Sequence, residues 1–179
     1  MGCIHGDLRS QELVYKMFSG RMMVVCVRYL KSREDAEDLL QEGFIKAFQQ
    51  IHQFKGNGAF EGWLRRMFVN LCLDSLRKNK GVRWISTEDH EIADDQDDNP
   101  TDDSDHLDFT PDDVLAAMEQ LTPVYRTVFN LIAFEEFTHQ DVAEKLGIST
   151  GTSKSNYFKA KKNLQRILLD TTTGRNERK

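Results

Sequence analysis

The sequence has few cysteines and no long run of apolar residues. Its three cysteines, Cys3, Cys26 and Cys72, form no CxxC pair and stand near none of the five histidines at metal-ligand spacing, which argues against a disulfide framework or a zinc site. No apolar stretch approaches the roughly 18 to 20 residues that span a bilayer, and no secretory signal opens the chain. We therefore expect a cytoplasmic protein with no direct membrane insertion.

The sequence motifs of common enzymes are missing as well. The chain contains no glycine-rich phosphate loop, no nucleophile elbow and no paired-carboxylate pattern. His139 and Asp141 stand close together, but both fall at a helix start, where polar residues are routine. The sequence therefore predicts that the protein is not an enzyme and needs no cofactor, metal or small-molecule substrate.

Basic residues are absent from one internal segment. Residues 85–113 contain 13 Asp+Glu and no Lys+Arg, whereas residues 1–84 contain 14 Lys+Arg against 9 Asp+Glu and residues 114–179 contain 10 against 7. The net charge of −5 thus hides two mildly basic blocks joined by an acidic tether. Because the tether also lacks apolar periodicity, we predict a flexible linker. Three roles stay open for it: a simple spacer, a nucleic-acid mimic that shields the basic blocks, or a segment that runs through a basic channel of a partner.

What the two basic blocks do contain is helical periodicity. Residues 10–30 carry an apolar stripe at the 3.6-residue period, with Leu13, Met17, Met22 and Val25 among its members. Residues 35–80 are predicted to form helix, glycine-containing loop, helix. Residues 1–9 show no pattern and are expected to be frayed. Four serine or threonine residues predict helix starts, because each is followed by an aspartate three residues later or by a proline at the next position. These are Ser32, Thr110, Thr122 and Thr138.

Residues 138–168 have the pattern of a helix-turn-helix. Ala143 is small where two helices must approach closely, and Gly147 stands where the turn needs a left-handed backbone. Ser149 or Thr150 is expected to cap the second helix. On that helix Phe158 falls on the lysine-rich side, which is unusual for a solvated face but suits contact with thymine methyl groups in the major groove.

Three strings carry a resemblance to a known family. DAEDLLQEGFIKAF, FKGNGAFEGWLRRMFVN and LDSLRK resemble region two of bacterial RNA polymerase sigma factors of the extracytoplasmic-function (ECF) type, within the sigma-70 family, and residues 138–168 resemble its region four. The resemblance implies an all-α protein of two small helical domains, one of three to four helices and one of four with a helix-turn-helix. The expected boundaries are 1–84 for region two, 85–110 for the flexible acidic linker, 111–170 for region four and 171–179 for a disordered tail.

The resemblance also implies a function and its residues. Region two would bind core RNA polymerase and open promoter DNA at the −10 element, and region four would read the −35 element. The implied core-polymerase contacts are Asp38, Leu39, Gln41 and Glu42; the implied −10 contacts are Lys55, Asn57, Arg66, Asn70 and Arg77; the implied −35 contacts are Lys154, Ser155, Phe158, Lys159 and Lys162. Core polymerase, promoter DNA and an anti-sigma factor are the implied partners.

The chain departs from the family pattern at Ser153, where an apolar residue is usual, and at Asn156, where arginine is frequent. These departures leave the promoter sequence open. Two other functions also stay open at this point. A stand-alone helix-turn-helix regulator would explain residues 138–168 but not the three strings, and an interaction module would use the basic helices to hold another protein.

Overall fold

The computed structural model describes residues 2–80, 84 and 109–176, without the side chains of residues 79, 80 and 172–176. The chain divides into two compact units, residues 1–82 and 83–179. The described residues form seven α-helices and no strand, three helices in the first unit and four in the second, which confirms the predicted all-α fold of two small helical domains. Most of the predicted acidic linker, residues 85–108, lies outside the described residues.

The first unit contains α1 (Leu8–Tyr29), α2 (Arg33–Gln50) and α3 (Phe60–Lys80), with short 3₁₀ turns at Gly2–His5 and Ile51–Gln53. The three helices contact one another pairwise. Ser32 caps α2, because its hydroxyl accepts a hydrogen bond from the backbone N–H of Asp35 at 3.2 Å. The predicted sequence of helix, loop and helix over residues 35–80 is confirmed.

The expectation of frayed residues 1–9 is wrong for residues 2–9, the part of this stretch that the structure describes. Gly2–His5 forms a 3₁₀ turn, and α1 already begins at Leu8. Asp7 caps α1 by accepting a hydrogen bond from the backbone N–H of Ser10 at 3.0 Å. The Asp7 carboxylate caps the helix start locally, and such a cap needs no apolar periodicity in the residues around it.

Two apolar faces run along α1, and only one of them is packed. Met22 and Val25 are fully buried, whereas Leu13 and Met17, which the predicted stripe included, are 60% and 59% exposed. At 100° per residue, Leu13, Met17 and Val24 point about 120° away from the buried residues. The single apolar stripe that the sequence predicted for residues 10–30 thus combines two separate faces of α1, one buried and one exposed.

Phe44 lies at the centre of the first core. Its ring is 4.7 Å from that of Tyr15, 6.0 Å from that of Phe48 and 5.4 Å from that of Phe68, measured between ring centroids. The neighbouring Gly43 lets the Phe68 ring of α3 come close to the α2 backbone, since a methyl group at position 43 would lie within 3.0 Å of three of its carbons. This close approach fixes how α2 lies against α3.

The second unit contains α4 (Pro111–Glu119), α5 (Pro123–Ala133), α6 (His139–Leu146) and α7 (Thr150–Asn176), and α7 contacts the other three. One cluster of buried apolar side chains in this unit comes from α4, the turn after it and the second half of α7. The members are Ala117, Met118, Leu121, Leu164 and Leu168. Complete capping boxes start α4 at Thr110 and α6 at Thr138, and Thr122 caps α5, as predicted.

The helix α7 is longer than predicted. It continues past the expected boundary at residue 170 to Asn176, so residues 171–176 are helical and not a disordered tail. Extending an existing helix adds one hydrogen bond for each residue fixed, which is far easier than starting one. The Thr171 hydroxyl also donates to the carbonyl oxygen of Ile167 at 2.8 Å.

Candidate functional site

The exposed side of α2 is acidic with one apolar residue. Asp38, Gln41 and Glu42 are all exposed, and their spacing of three and four places them on one side of the helix. Leu39, which was assigned to the same contact, is only 5% exposed and belongs to the core of the unit. Its position, about 100° from Asp38, turns it toward the buried stripe. The candidate surface therefore excludes Leu39.

The sequence analysis missed Ile45. This side chain is 60% exposed and follows Gln41 by four residues and Glu42 by three, so it extends the same surface of α2. The sequence signal that could have identified Ile45 is an apolar residue on the polar side of a helix, and the same signal identified Phe158 on α7. Asp38, Gln41, Glu42 and Ile45 together are called the α2 surface below.

A cluster of aromatic rings lies at the ends of the loop between α2 and α3. The ring centroids of Phe54 and Phe60 are 5.3 Å apart, those of Phe54 and Trp63 5.8 Å, and those of Phe60 and Trp63 5.5 Å. All three rings are half-buried. Between them the backbone takes the left-handed conformation at Gly56 (φ 75°) and Gly58 (φ 89°), which glycine adopts at little cost.

Contacts from α1 fasten this cluster. The ring of Phe18 meets that of Phe60 edge-on at 5.5 Å, and the guanidinium of Arg21 pairs with the carboxylate of Glu61 in the first turn of α3. The guanidinium also lies 6.0 Å from the centre of the Phe18 ring. The start of α3 is thus held from one side, which sets where the loop before it can lie.

The loop and α3 present the predicted −10 residues to solvent. Lys55 and Asn57 are exposed on the loop, and Arg66, Asn70 and Arg77 are exposed on α3 at spacings of four and seven that keep them on one side. The Arg77 guanidinium also contacts the Asp74 carboxylate at 3.1 Å, an exposed pair that costs little to exchange for a phosphate. These five residues are called the α3 surface below.

In the second unit the predicted turn between α6 and α7 is confirmed. Gly147 has the left-handed backbone (φ 69°, ψ 37°) that ends α6. Of the two expected caps for α7, Ser149 is the one that acts, because its hydroxyl accepts from the backbone N–H of Thr152 at 2.9 Å. This geometry turns α7 away from α6 as the second helix of a helix-turn-helix.

The first half of α7 has one buried and one solvated side. Ala160 is buried, whereas Phe158 is 53% exposed and Lys154 and Lys162 are exposed beside it. Ser155 and Lys159 are partly exposed. An exposed phenylalanine among lysines suits a helix that meets thymine methyl groups and phosphates. Lys154, Ser155, Phe158, Lys159 and Lys162 are called the α7 surface below.

The two positions that depart from the family pattern are both buried. Ser153 is 0% exposed and Asn156 is 1% exposed. The Oγ atom of Ser153 lies 3.0 Å from Nδ1 of His139, the first residue of α6. Burial lowers the pKa of His139 below its ordinary value, and the nearby Lys154 ammonium lowers it further.

Comparison with known proteins agrees with this geometry. Residues 14–82 match the family model for sigma-70 region 2, and residues 112–164 match the model for sigma-70 region 4. The ECF RNA polymerase sigma factor SigM of Mycobacterium tuberculosis is 31% identical over 176 residues, which is 98% of this chain and 86% of that protein. The chain belongs to the ECF sigma factors. As such it directs transcription initiation by RNA polymerase, and sigma factors are in general not enzymes.

Further relatives of this ECF sigma factor agree. SigE of Mycolicibacterium smegmatis is 31% identical over 160 residues, and the match covers 89% of this chain and 62% of that relative. The sigma factor RpoE of Bartonella quintana, solved in complex with the anti-sigma factor NepR, has the same fold, with a TM-score of 0.54 at 21% identity over 90% of this chain and 98% of that one. Because region two is matched as well, a stand-alone helix-turn-helix regulator is not favoured.

Two further observations concern the described residues. None of their helices combines the length and the apolar content that crossing a membrane requires. In the same part of the chain, no three His, Cys, Asp or Glu side chains lie close enough together to hold a metal ion.

Proposed function

We propose that this sigma factor binds core RNA polymerase through the α2 surface, opens the −10 element with the α3 surface and reads the −35 element with the α7 surface. It works in the cytoplasm, where the polymerase and the promoter are. The observation that carries the proposal is the composition of the α7 surface, where Phe158 is exposed among lysines on a helix whose opposite side is buried.

The α2 surface suits a basic partner with an apolar spot. Asp38 and Glu42 supply two negative charges, Gln41 supplies hydrogen bonds, and Ile45 supplies apolar area that costs free energy while it stays in water. We expect Asp38→Lys/Glu42→Lys to weaken binding to core polymerase in the absence of DNA by roughly 100-fold, since a hydrogen bond to a charged group is worth about 1.5 to 3 kcal/mol.

A matched control for that double variant lies outside α2. Glu12→Lys/Glu144→Lys makes the same change of four charge units at exposed carboxylates of α1 and α6, and the pair of Glu12 with Lys16 is an exposed one that contributes little. Core affinity should stay within about twofold of wild type for this variant. Equal losses for the variants on and off the α2 surface would show that overall charge, rather than this surface, governs binding.

The α3 surface suits single-stranded DNA beside an opened duplex. Lys55, Arg66 and Arg77 can follow phosphates, the amide of Asn70 can pair with the edge of an unstacked base, and the half-buried rings offer faces for stacking. Asn70→Ala should lower the reactivity of −10 thymines toward permanganate in the holoenzyme–promoter complex. Affinity for core polymerase should not change, because Asn70 is not on the α2 surface.

The α7 surface combines base and phosphate contacts that two substitutions can separate. Phe158→Ala should cost about 1 to 3 kcal/mol on a promoter with a −35 element and reduce the preference for it, whereas Lys154→Ala should weaken binding and make it less dependent on salt. Arg166→Ala, an exposed cation further along α7, is the control. The proposal fails if Phe158→Ala and Arg166→Ala transcribe promoters with and without a −35 element in the same ratio.

An anti-sigma factor is a further proposed partner. Sigma factors of this fold, such as RpoE of Bartonella quintana, have been solved with such a protein bound. The first unit also exposes apolar side chains, Leu13, Met17 and Val24 on α1 among them, and exposed apolar groups of this kind mark surfaces that bind another protein. Purification of the tagged chain from its own cells, followed by assay of transcription before and after removal of any bound protein, tests this proposal.

A further inference from the structure

One of the two positions of α7 that depart from the family pattern, Ser153, is fully buried. The hydroxyl of Ser153 lies among the helices of the second unit with 0% exposure, where a hydroxyl without a hydrogen-bond partner costs about 1 to 3 kcal/mol. Its partner is Nδ1 of His139 at 3.0 Å. The first residue of α6 therefore satisfies a polar group that α7 carries inside.

His139 also touches α7 at a second point. Its ring meets the ring of Tyr157 edge-on, with centroids 5.7 Å apart and planes at 69°. The Tyr157 ring also stacks on Phe129 of α5 at 5.8 Å, and the Lys161 ammonium lies 5.9 Å from its centre. Ser153 and Tyr157 are four residues apart and thus lie one above the other on the same side of α7.

Two attachment points on one side of a helix limit its rotation about its own axis. Lys154 and Phe158 each follow an attachment point by one residue, so their direction is set about 100° from it. A rotation of about 10° would move a side-chain tip roughly 6 Å from the axis by about 1 Å. That shift exceeds the range of about 0.5 Å over which a hydrogen bond to a base edge or phosphate keeps its geometry.

We propose that His139 is a positioning residue for −35 recognition, which holds the rotational setting of α7 through the Ser153 hydroxyl and the Tyr157 ring. This inference rests on the proposed function of the α7 surface. It assigns to His139 a directional hydrogen bond between the two helices of the helix-turn-helix. The rival role, a direct contact between the imidazole and DNA, would not require Ser153.

The test compares the full chain and its variants as holoenzymes with core polymerase. The measured quantity is the ratio of affinities for a promoter selected by the wild-type holoenzyme and for the same DNA with its −35 region scrambled. Four variants are needed: His139→Ala, Ser153→Ala, the double variant and His139→Asn. Asparagine keeps a donor and an acceptor near the position of Nδ1. Gln140→Ala, an exposed neighbour on α6, is the control.

We expect His139→Ala and Ser153→Ala each to lower the affinity ratio by roughly 5- to 10-fold, and the double variant to lower it no further than either single one, since both remove the same contact. His139→Asn should recover most of the loss, and Gln140→Ala should match wild type. The α7 amides, followed by hydrogen exchange on the same samples, should stay protected, which excludes unfolding of the second unit.

Several results would overturn the inference. Additive losses for His139→Ala and Ser153→Ala would mean that the histidine acts on DNA directly. An unchanged ratio for His139→Ala, with a wild-type holoenzyme that prefers the −35 promoter, would refute the positioning role alone. A wild-type holoenzyme that does not distinguish the two promoters would refute the proposed function of the α7 surface and the inference with it.

Discussion

The contact between Gly43 and Phe68 allows a stability prediction whose size follows from the structure. A methyl group at position 43 would lie within 3.0 Å of the Phe68 carbons Cε1, Cζ and Cδ1, whereas carbon atoms in contact prefer about 3.5 to 4.0 Å. The ring cannot withdraw freely, because Phe68 is 0% exposed and contacts Phe44 at 5.4 Å. Forcing an extra methyl group into such a core costs about 1 to 3 kcal/mol.

The substitution of glycine by alanine inside a helix brings an opposite effect. Alanine favours the helix by about 0.8 to 1 kcal/mol relative to glycine, so Gly43→Ala alone is expected to show only the remainder. Gly20→Ala in α1 is the matched control, because Gly20 is exposed and a methyl group there meets nothing within 4 Å. The difference between the two variants removes the helix preference and should equal the crowding cost of about 1 to 3 kcal/mol.

Hydrogen exchange of α2 and α3 amides in the full chain is the suitable assay, since it reports opening of the first unit without mixing in the second. Gly43→Ala should speed exchange of the most protected amides relative to Gly20→Ala. The same variant should also weaken binding to core polymerase, because the tilt of α2 carries the α2 surface with it. Equal protection in both variants would refute the packing argument.

Other predictions concern single contacts. Thr138→Ala should destabilise the second unit by about 1 kcal/mol through loss of the α6 cap, and Gly147→Ala should destabilise it by about 1 to 2 kcal/mol through left-handed backbone strain. Both losses can be measured as shifts in the urea concentration at which the α7 amides lose half of their protection against exchange. The pKa of His139 is lowered in the folded state, so unfolding takes up a proton once the pH falls below about 6.5. The second unit should therefore be less stable at about pH 5.5 than at pH 7.5. A His139→Asn variant whose stability changes with pH in the same way would contradict this. Replacing Glu61 by Gln should cost less than about 1 kcal/mol in melting experiments, since its pair with Arg21 is exposed.

Helix ends and turns could be predicted from the sequence because their causes are local. Thr110, Thr138 and Gly147 each act within three or four residues of their own position, and the structure shows the expected cap or turn at all three. The division of α7 into a buried side and a lysine side with an exposed Phe158 was predictable for a related reason. Helical periodicity alone sorts the residues of one helix onto its sides.

The features that the sequence could not supply depend on which helices meet. An apolar stripe does not say which of two faces is covered, so Leu13 and Met17 were counted with the core although they are exposed. Ile45 escaped notice because a single apolar residue outside the stripe has no periodic support. The pairing of His139 with Ser153 joins residues fourteen positions apart on two helices, and no local pattern announces it.

The family resemblance added what helical patterns do not. Periodicity distinguishes helices from loops, but it assigns no partner to an acidic face or a basic one. The match of residues 14–82 and 112–164 to sigma-70 regions 2 and 4 points to RNA polymerase and promoter DNA as the partners of the acidic and basic faces. The residues within each surface remain proposals that the variants above test one at a time.

The central claim is that the α2 surface attaches this ECF sigma factor to core RNA polymerase. The most direct measurement is equilibrium binding of the purified chain to core polymerase without DNA, for wild type and for Asp38→Lys/Glu42→Lys. We predict a tight wild-type complex and a loss of roughly 100-fold for the double variant. A wild-type chain with no affinity for core polymerase, or a double variant that binds as well as wild type, would contradict the account.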